Sequence, residues 1–382
     1  MVRSDKRPRV MMLGLRGVPN GAGGGVEKHV EELARLYVTK GWDVEVIGRR
    51  PYLEKKQPYV WEGVEVTPSW APTSMKFEAI VHTVLGGVLR AGFTRPDVLH
   101  IHAIGPALAV PLARLFGLRT VVTHHGFDYN RQKWGGRLAR AMLKLGEWCG
   151  MRFANARIAV SNDIAKTMQQ HYHVPITFIP NGGVTLRPAC QDTTWLEKHG
   201  LDPKRYIALV ARIVPEKRQL DLIEAFAKLA DPSLKLALIG SAEYTAEYAG
   251  TVRERAAAVP GVVLTGALQG GEELSALFSQ AALFVLPSSH EGGMPIALLE
   301  AMGYGLNVLA SDITANVEVG LSKDSYFPLG DVDALKDALR RKIDQPLTSE
   351  QSQEMIDWIA RDYSWSGIAD RTLRVYEEGI RE

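Results

Sequence analysis

"RYIALVARIVPEKRQLDLIEAFAKLADPSLKLALIG", residues 205–240, decides what kind of fold this chain adopts. "YIALV" is apolar without alternation, "QLDLIEAFAKLA" repeats apolar residues at helical spacing, and "LKLALI" is apolar throughout again. A strand that is apolar on both faces must be covered on both faces, and strand, helix, strand in this rhythm predicts a parallel sheet. The same rhythm runs upstream. "RVMMLGL" leads through a glycine-rich loop into the helix "VEKHVEELARLYVTKG", which stops at Gly41. "DVEVIG", "DVLHIH", "RTVVTHH" and "ARIAVS" continue the strands, and after "TFIPNGG" the series restarts, ending in "GVVLTG", "LFVLPSS" and "NVLASD". Two such series predict an α/β chain of two doubly wound domains, with Gly and Pro near residue 180 marking the break.

The composition agrees. A chain of 382 residues, 46% of them apolar, exceeds one ordinary core and can fill two. The net charge of +2 hides a division: residues 1–184 carry 25 Lys and Arg against 14 Asp and Glu, residues 185–382 carry 20 against 29. A basic first half points to a negative partner, either phosphates or an anionic membrane. Two cysteines, Cys149 and Cys190, make no disulfide framework and no metal-binding CxxC pair. The N-terminal apolar run is too short for a signal peptide, and "AIGPALAVPLARLFGL" is broken by two prolines and Arg114. The expectation is a cytoplasmic protein.

Open parallel sheets bind ligands beyond the carboxyl ends of their strands. Five stretches there carry chemistry. In "SSHEGGMPIALLEAM", Pro295 suits the first position of a helix, and the amides of Gly292, Gly293 and Met294 would line an anion site at its N-terminus. Glu300, inside that helix among apolar neighbours, needs a partner such as a ribose diol. Glu291 reads equally as an ordinary first-turn glutamate interacting with the helix dipole. "GLRGVPNGAGGGVEKH" fits neither GxGxxG nor the P-loop pattern, yet Gly24 and Gly25 could bring backbone amides close to a diphosphate. Arg212 and Lys217 in "ARIVPEKRQL" could clamp a diphosphate and steady its departure. "THHGFD" supplies His124, His125 and Asp128 for polar contact or proton handling. His100 and His102 lack a carboxylate or cysteine to complete a metal set. Residues 130–157 hold seven basic residues, one glutamate, Trp134 and Trp148, which suits an anionic bilayer or a lipid diphosphate as well as a plain solvated face. Neither an RNA-binding nor a helix-turn-helix pattern accompanies that charge, so nucleic acid is not expected.

Together "GGGVEKHV", "HHGFD", "VSNDIA", "IPNGG", "ARIVPEK", "SSHEGGMPIALLEAM" and "YSWSGIADRTLRVYEE" resemble glycosyltransferase family 4, the retaining sugar transferases of the GT-B fold, over nearly the whole chain. The resemblance implies two Rossmann-like domains facing a central cleft: residues 1–184 on the acceptor side, residues 185–362 binding a nucleotide-sugar donor, and a final helix, 363–382, crossing back to the first domain. It implies that Glu300 holds the ribose, that Arg212 and Lys217 hold the diphosphate, and that Glu291 with the amides of Gly292, Gly293 and Met294 holds the donor sugar and phosphate. By the same resemblance His125 lies near the anomeric carbon, Gly24 and Gly25 line the opposite side, and Asp128 is on the acceptor side. One departure stands out. Eight residues separate Glu291 from Glu300 where the family usually has seven, and an extra glycine in "EGGMP" would absorb the bulge.

The expectation is therefore a retaining, metal-independent hexosyltransferase with no cofactor besides its donor. Its acceptor would be a glycan or a polyprenyl-diphosphate-linked glycan, as in bacterial exopolysaccharide, capsule or lipopolysaccharide assembly, with an anionic inner membrane face as a further partner. A sugar-nucleotide epimerase of similar architecture and a non-catalytic sugar-nucleotide-binding protein are the rival readings.

Overall fold

The computed structural model describes residues 7–19, 24–72, 81–130, 136–183, 192–241, 246–268 and 271–381. Trp134, Cys190 and residues 20–23 lie outside them. The chain divides into two compact units: Met1–Asn181 with Trp365–Glu382, and Gly182–Ser364. The sequence reading had placed these divisions at 184/185 and 362/363.

In the first unit, β1 (Arg9–Leu13) leads to α1 (Gly25–Thr39) and β2 (Asp43–Arg49), and a hairpin of β3 (Tyr59–Trp61) and β4 (Val64–Ser69) follows. A π-helical stretch, His82–Val88, runs into α2 (Leu89–Thr94) and β5 (Val98–His102); then come α3 (Val110–Leu115), β6 (Thr120–His124), α4 (Arg137–Phe153), β7 (Ala156–Ala159), α5 (Asn162–Tyr172) and β8 (Thr177–Phe178). The eight strands lie in the order β3-β4-β2-β1-β5-β6-β7-β8, parallel except for β3. Sequence reading missed that hairpin. Its two-residue turn, Glu62 and Gly63, has positive φ at both positions, the conformation that matches strand twist.

In the second unit, β9 (Tyr206–Val210), α6 (Gln219–Leu229), β10 (Lys235–Ile239), α7 (Ala246–Ala258), β11 (Val262–Gly266), α8 (Gly271–Ser279), β12 (Leu283–Leu286), α9 (Ile296–Gly303), β13 (Val308–Ser311) and β14 (Tyr326–Phe327) build a parallel sheet ordered β11-β10-β9-β12-β13-β14. α10 (Val332–Asp344) packs on α6, and α11 (Ser349–Asp362) packs on α9. The last helix, α12 (Trp365–Arg381), belongs to the first unit and packs along α1.

The apolar runs that predicted the strands form the cores. Val10, Met11, Met12 and Leu13 of β1 and Tyr206, Ile207 and Ala208 of β9 are inaccessible to solvent. Both sheets reverse direction beside their first strand, at β1/β5 and at β9/β12. Connections on either side of such a switch lie on opposite faces, which leaves a crevice at the strand ends where ligands bind. A glycine past one strand of each sheet packs against the neighbouring strand's end: Gly14 follows β1 and abuts β5, and Gly240 follows β10 and abuts the end of β9. A Cβ on Gly14, at φ +100°, would stand 2.1 Å from the His102 carbonyl oxygen, and one on Gly240, at φ +149°, would stand 2.0 Å from that of Ala211. Only glycine fits either place.

Candidate functional site

The predicted site residues follow β1 and β6 in the first sheet and β9 and β12 in the second. Gly24, Gly25, His125 and Asp128 belong to the first unit; Arg212, Lys217, Glu291, Gly292, Gly293, Met294 and Glu300 belong to the second.

In the first unit, β5 and β6 end in histidines, and α1 brings a third. His102 Nδ1 and His125 Nε2 lie 3.1 Å apart, and the His29 ring meets the His125 ring edge-on at 4.8 Å between centroids. His29 Nδ1 bonds Asn181 Oδ1 at 3.0 Å, and its ring also abuts Trp365, the first residue of α12. Behind them His100 Nε2 contacts Thr123 Oγ1 at 2.7 Å while its Nδ1 bonds the hydroxyl of Tyr376. Burial pulls the His29 pKa down to about 4, against the opposing effect of the hydrogen bond it donates to Asn181. His100, His102 and His125 are likewise pushed well below the usual histidine range, first by burial and then by neighbouring imidazoles. The rings are therefore neutral at physiological pH. The hydrogen bond between His102 and His125 needs one ring to donate and the other to accept, so the accepting ring at least is neutral. One ligand nitrogen from each of His29, His102 and His125 lies within 4.8 Å of the others, the one grouping of this kind among the described residues. Neutral imidazoles are the form that binds metals, but His102 Nδ1 and His125 Nε2 already engage one another.

His124 is a support. It accepts the Gly126 N–H at Nδ1, 3.2 Å, so its Nε2–H donates to Glu147 Oε2 at 3.1 Å. Tyr172 donates to Glu147 Oε1 at 2.8 Å. Burial pushes the Glu147 carboxyl up, but the hydrogen bonds from His124, Tyr172 and Tyr129 together hold it low. This buried carboxylate fixes the turn after β6 that presents His125, and Asp128 follows at the start of a 3-10 turn. Gly24 is the N-cap of α1, and Glu27 folds back to accept the Arg16 N–H at 3.3 Å. A Cβ on Gly25 would meet nothing within 4 Å, so internal packing does not demand glycine there.

In the second unit, the loops after β9 and β12 are tied together. The Ser289 N–H donates to the Glu216 carbonyl at 2.9 Å, and Lys217 Nζ forms an ion pair with Glu291 Oε1, both side chains largely buried. The Ser311 hydroxyl donates to the Ser288 carbonyl, and Gln219 Nε2 donates to the Arg212 carbonyl at 2.8 Å. Sequence reading gave Lys217 a phosphate and Glu291 a sugar; in the structure they hold each other. Pro295 is the N-cap of α9, in extended conformation, one residue before the helix where it was expected as the first helical residue. Gly292, Gly293 and Met294 thus form the loop that enters α9. Glu300 is half-buried on α9 between Leu299 and Ala301, both buried. Arg212, also half-buried, stands just past the end of β9, at the same edge of the sheet.

Two family descriptions match these two units in turn: Glycosyltransferase Family 4 over residues 23–183 and Glycosyl transferases group 1 over residues 204–345. The chain belongs to glycosyltransferase family 4. Its fold is GT-B, and it is a glycosyltransferase. The MMP alpha-(1->4)-mannosyltransferase of Mycolicibacterium hassiacum is 25% identical over 97% of this chain and 98% of its own length. The phosphatidyl-myo-inositol mannosyltransferase of Mycolicibacterium smegmatis is 25% identical over 93% and 90%. A UDP-Gal:alpha-D-GlcNAc-diphosphoundecaprenol alpha-1,3-galactosyltransferase of Escherichia coli is 25% identical over 73% and 75%. Among solved structures, Anabaena Alr3699/HepE in complex with UDP-glucose superposes with a TM-score of 0.77 at 16% identity, covering 97% of this chain and 99% of that one. This likeness shows the fold.

Sequence reading named His125, Lys217 and Glu291 but not the neighbours His29, Glu147, Asn181 and Tyr376, and it did not place His102 beside His125. Glu147 had a signal: it is the lone acid in a basic helix. Asn181 had none, because its partner lies 152 positions away.

Proposed function

We propose that this glycosyltransferase moves a hexose from a nucleoside diphosphate to a glycan or polyprenyl-diphosphate-linked glycan with retention of configuration, in bacterial surface-polysaccharide assembly at the cytoplasmic membrane face. The observation that carries the reading is the stitched pair of loops at the β9/β12 switch point, where Lys217 meets Glu291 beside the loop entering α9. A departing diphosphate needs cations and amide donors held in place before the bond breaks, and preorganised charge of this kind is usually the largest catalytic term. In this reading Arg212, Lys217 and the amides of Gly292, Gly293 and Met294 receive the diphosphate, and Glu300 accepts from the ribose hydroxyls. Glu291 orients Lys217 and meets the donor sugar. Gly24 and Gly25 offer backbone to the donor, His125 contributes a neutral hydrogen-bonding ring near the anomeric carbon, and Asp128 serves the acceptor. These groups need neither a metal nor a cofactor. Relatives that use UDP-Gal with a diphosphoundecaprenol acceptor, or a phosphatidyl-inositol acceptor, support the donor and acceptor classes.

The test is nucleotide release from UDP-, GDP- and dTDP-sugars with and without a lipid-diphosphate glycan, with EDTA present and the product anomer read by NMR. Acceptor-dependent release with retained configuration supports the reading. Isomerised donor without acceptor would favour an epimerase, and tight binding without turnover a binding protein; either would overturn it.

A further inference from the structure

The helical layer on one face of the first sheet carries a surface that the sugar-transfer site does not use. The connections β4→β5, β5→β6, β6→β7 and β7→β8 all step the same way along the sheet, so α2, α3, α4 and α5 share one face. The outer side of α4 is apolar where water should meet it. Leu138 is 68% exposed, Leu145 49%, Trp148 44% and Phe153 40%. With the exposed Ala141, the first three follow helical spacing in a single stripe, and Trp148 meets Phe153 edge-on at 5.3 Å. Arg137, Arg140 and Lys144 run along one flank of the stripe and Arg152 stands at its end, all exposed. The one acid of the helix, Glu147, points inward to His124. The same layer exposes Phe93 on α2 and Leu115 on α3.

We infer that the outer face of α4 docks on an anionic phospholipid bilayer, lying in the headgroup plane with Leu138, Leu145, Trp148 and Phe153 in the acyl boundary and the four cations against lipid phosphates. Charge complementarity selects this occupant. An apolar stripe edged by cations, with no exposed acid, fits a negative surface of low specificity. Tryptophan suits the boundary between headgroup and hydrocarbon, and Arg and Lys can lay their stems on the apolar stripe while their heads reach phosphate. No helix among the described residues is long and apolar enough to cross a membrane, so attachment through this surface is interfacial. The inference deepens the acceptor reading above, because a lipid-diphosphate acceptor presents itself at that surface. Vesicle binding is scored apart from donor binding, so either reading can fail alone.

The experiment is co-sedimentation of the full chain with phosphatidylcholine vesicles with and without phosphatidylglycerol, at low and high salt. Binding is expected with phosphatidylglycerol only, and is expected to weaken with salt. Each headgroup-facing cation is worth about a fivefold change in partition, so Arg140→Gln with Lys144→Gln is expected to weaken binding roughly 30-fold. Leu145→Ser with Trp148→Ser is expected to weaken it at least about tenfold. Both variants should keep the native melting temperature and the thermal shift produced by UDP. Should the second variant melt early, Leu138→Ser, at the most exposed of the stripe's large apolar residues, serves in its place. Absence of binding to phosphatidylglycerol vesicles at low salt overturns the inference, as does undiminished binding by the variants. A dimer seen by light scattering, abolished by Leu145→Ser with Trp148→Ser while vesicles go unbound, would assign the stripe to a second copy of the chain and overturn it too.

Discussion

Lowering the pH from 7 to 5 should destabilise the first unit strongly, and the histidines set the size of the effect. His29 titrates at about 4 in the fold against 6.5 for an unhindered imidazole, because burial disfavours its charged form. Between those values the unfolded chain holds a proton that the folded chain refuses. Stability is thus complete above pH 6.5 and is lost progressively as the pH falls toward 4. At pH 5 this amounts to about 2 kcal/mol for His29 alone relative to pH 7. His82, inaccessible to solvent and also lowered to about 4 by burial and then by Arg49, adds about as much. His100, His102 and His125 shift in the same direction, so the unit should lose about 4 kcal/mol or more, a large part of a typical domain's 5–15 kcal/mol. Asp324 of the second unit, held at about 2 chiefly by Lys342, loses its contribution only as the pH falls from about 4 to about 2, below the window in question. The assay is urea unfolding at pH 7, 6 and 5, followed through the imidazole resonances of His29 and His82. An unfolding midpoint for the first unit that is equal at pH 7 and 5 would refute the reasoning, as would a His29 resonance titrating near 6.5 in the folded chain.

Three further outcomes follow from the contacts. Glu147→Ala leaves the His124 N–H and the Tyr172 hydroxyl without their acceptor in a buried setting and should destabilise the first unit by about 3 kcal/mol; denaturant titration at pH 7 checks this, and an unchanged midpoint would mean the network is dispensable. Gly25→Ala has open space and a helical position, so the melting temperature should hold or rise, while donor affinity measured by calorimetry should fall if the backbone there meets the ligand. Glu300→Ala should weaken UDP-sugar binding by about 10- to 100-fold and abolish discrimination between ribose and deoxyribose donors, since an acceptor held for a hydroxyl penalises an analogue lacking it; equal discrimination in the variant would move the ribose contact elsewhere.

The two α/β units and the landmarks around His125, Lys217 and Glu291 were legible in the sequence because they are local. A run such as "YIALV" must be covered on both faces wherever it lies. Tertiary structure alone decided which strands lie side by side, and therefore which side chains meet. Lys217 and Glu291 are 74 positions apart and pair because β9 and β12 are neighbours. His29, His102 and His125 converge from a helix and two strand ends, and Tyr376 reaches His100 from a helix beginning more than 260 residues later. Those meetings also set the chemistry, because the desolvation that keeps the histidines neutral exists only once α1 and α12 close over them.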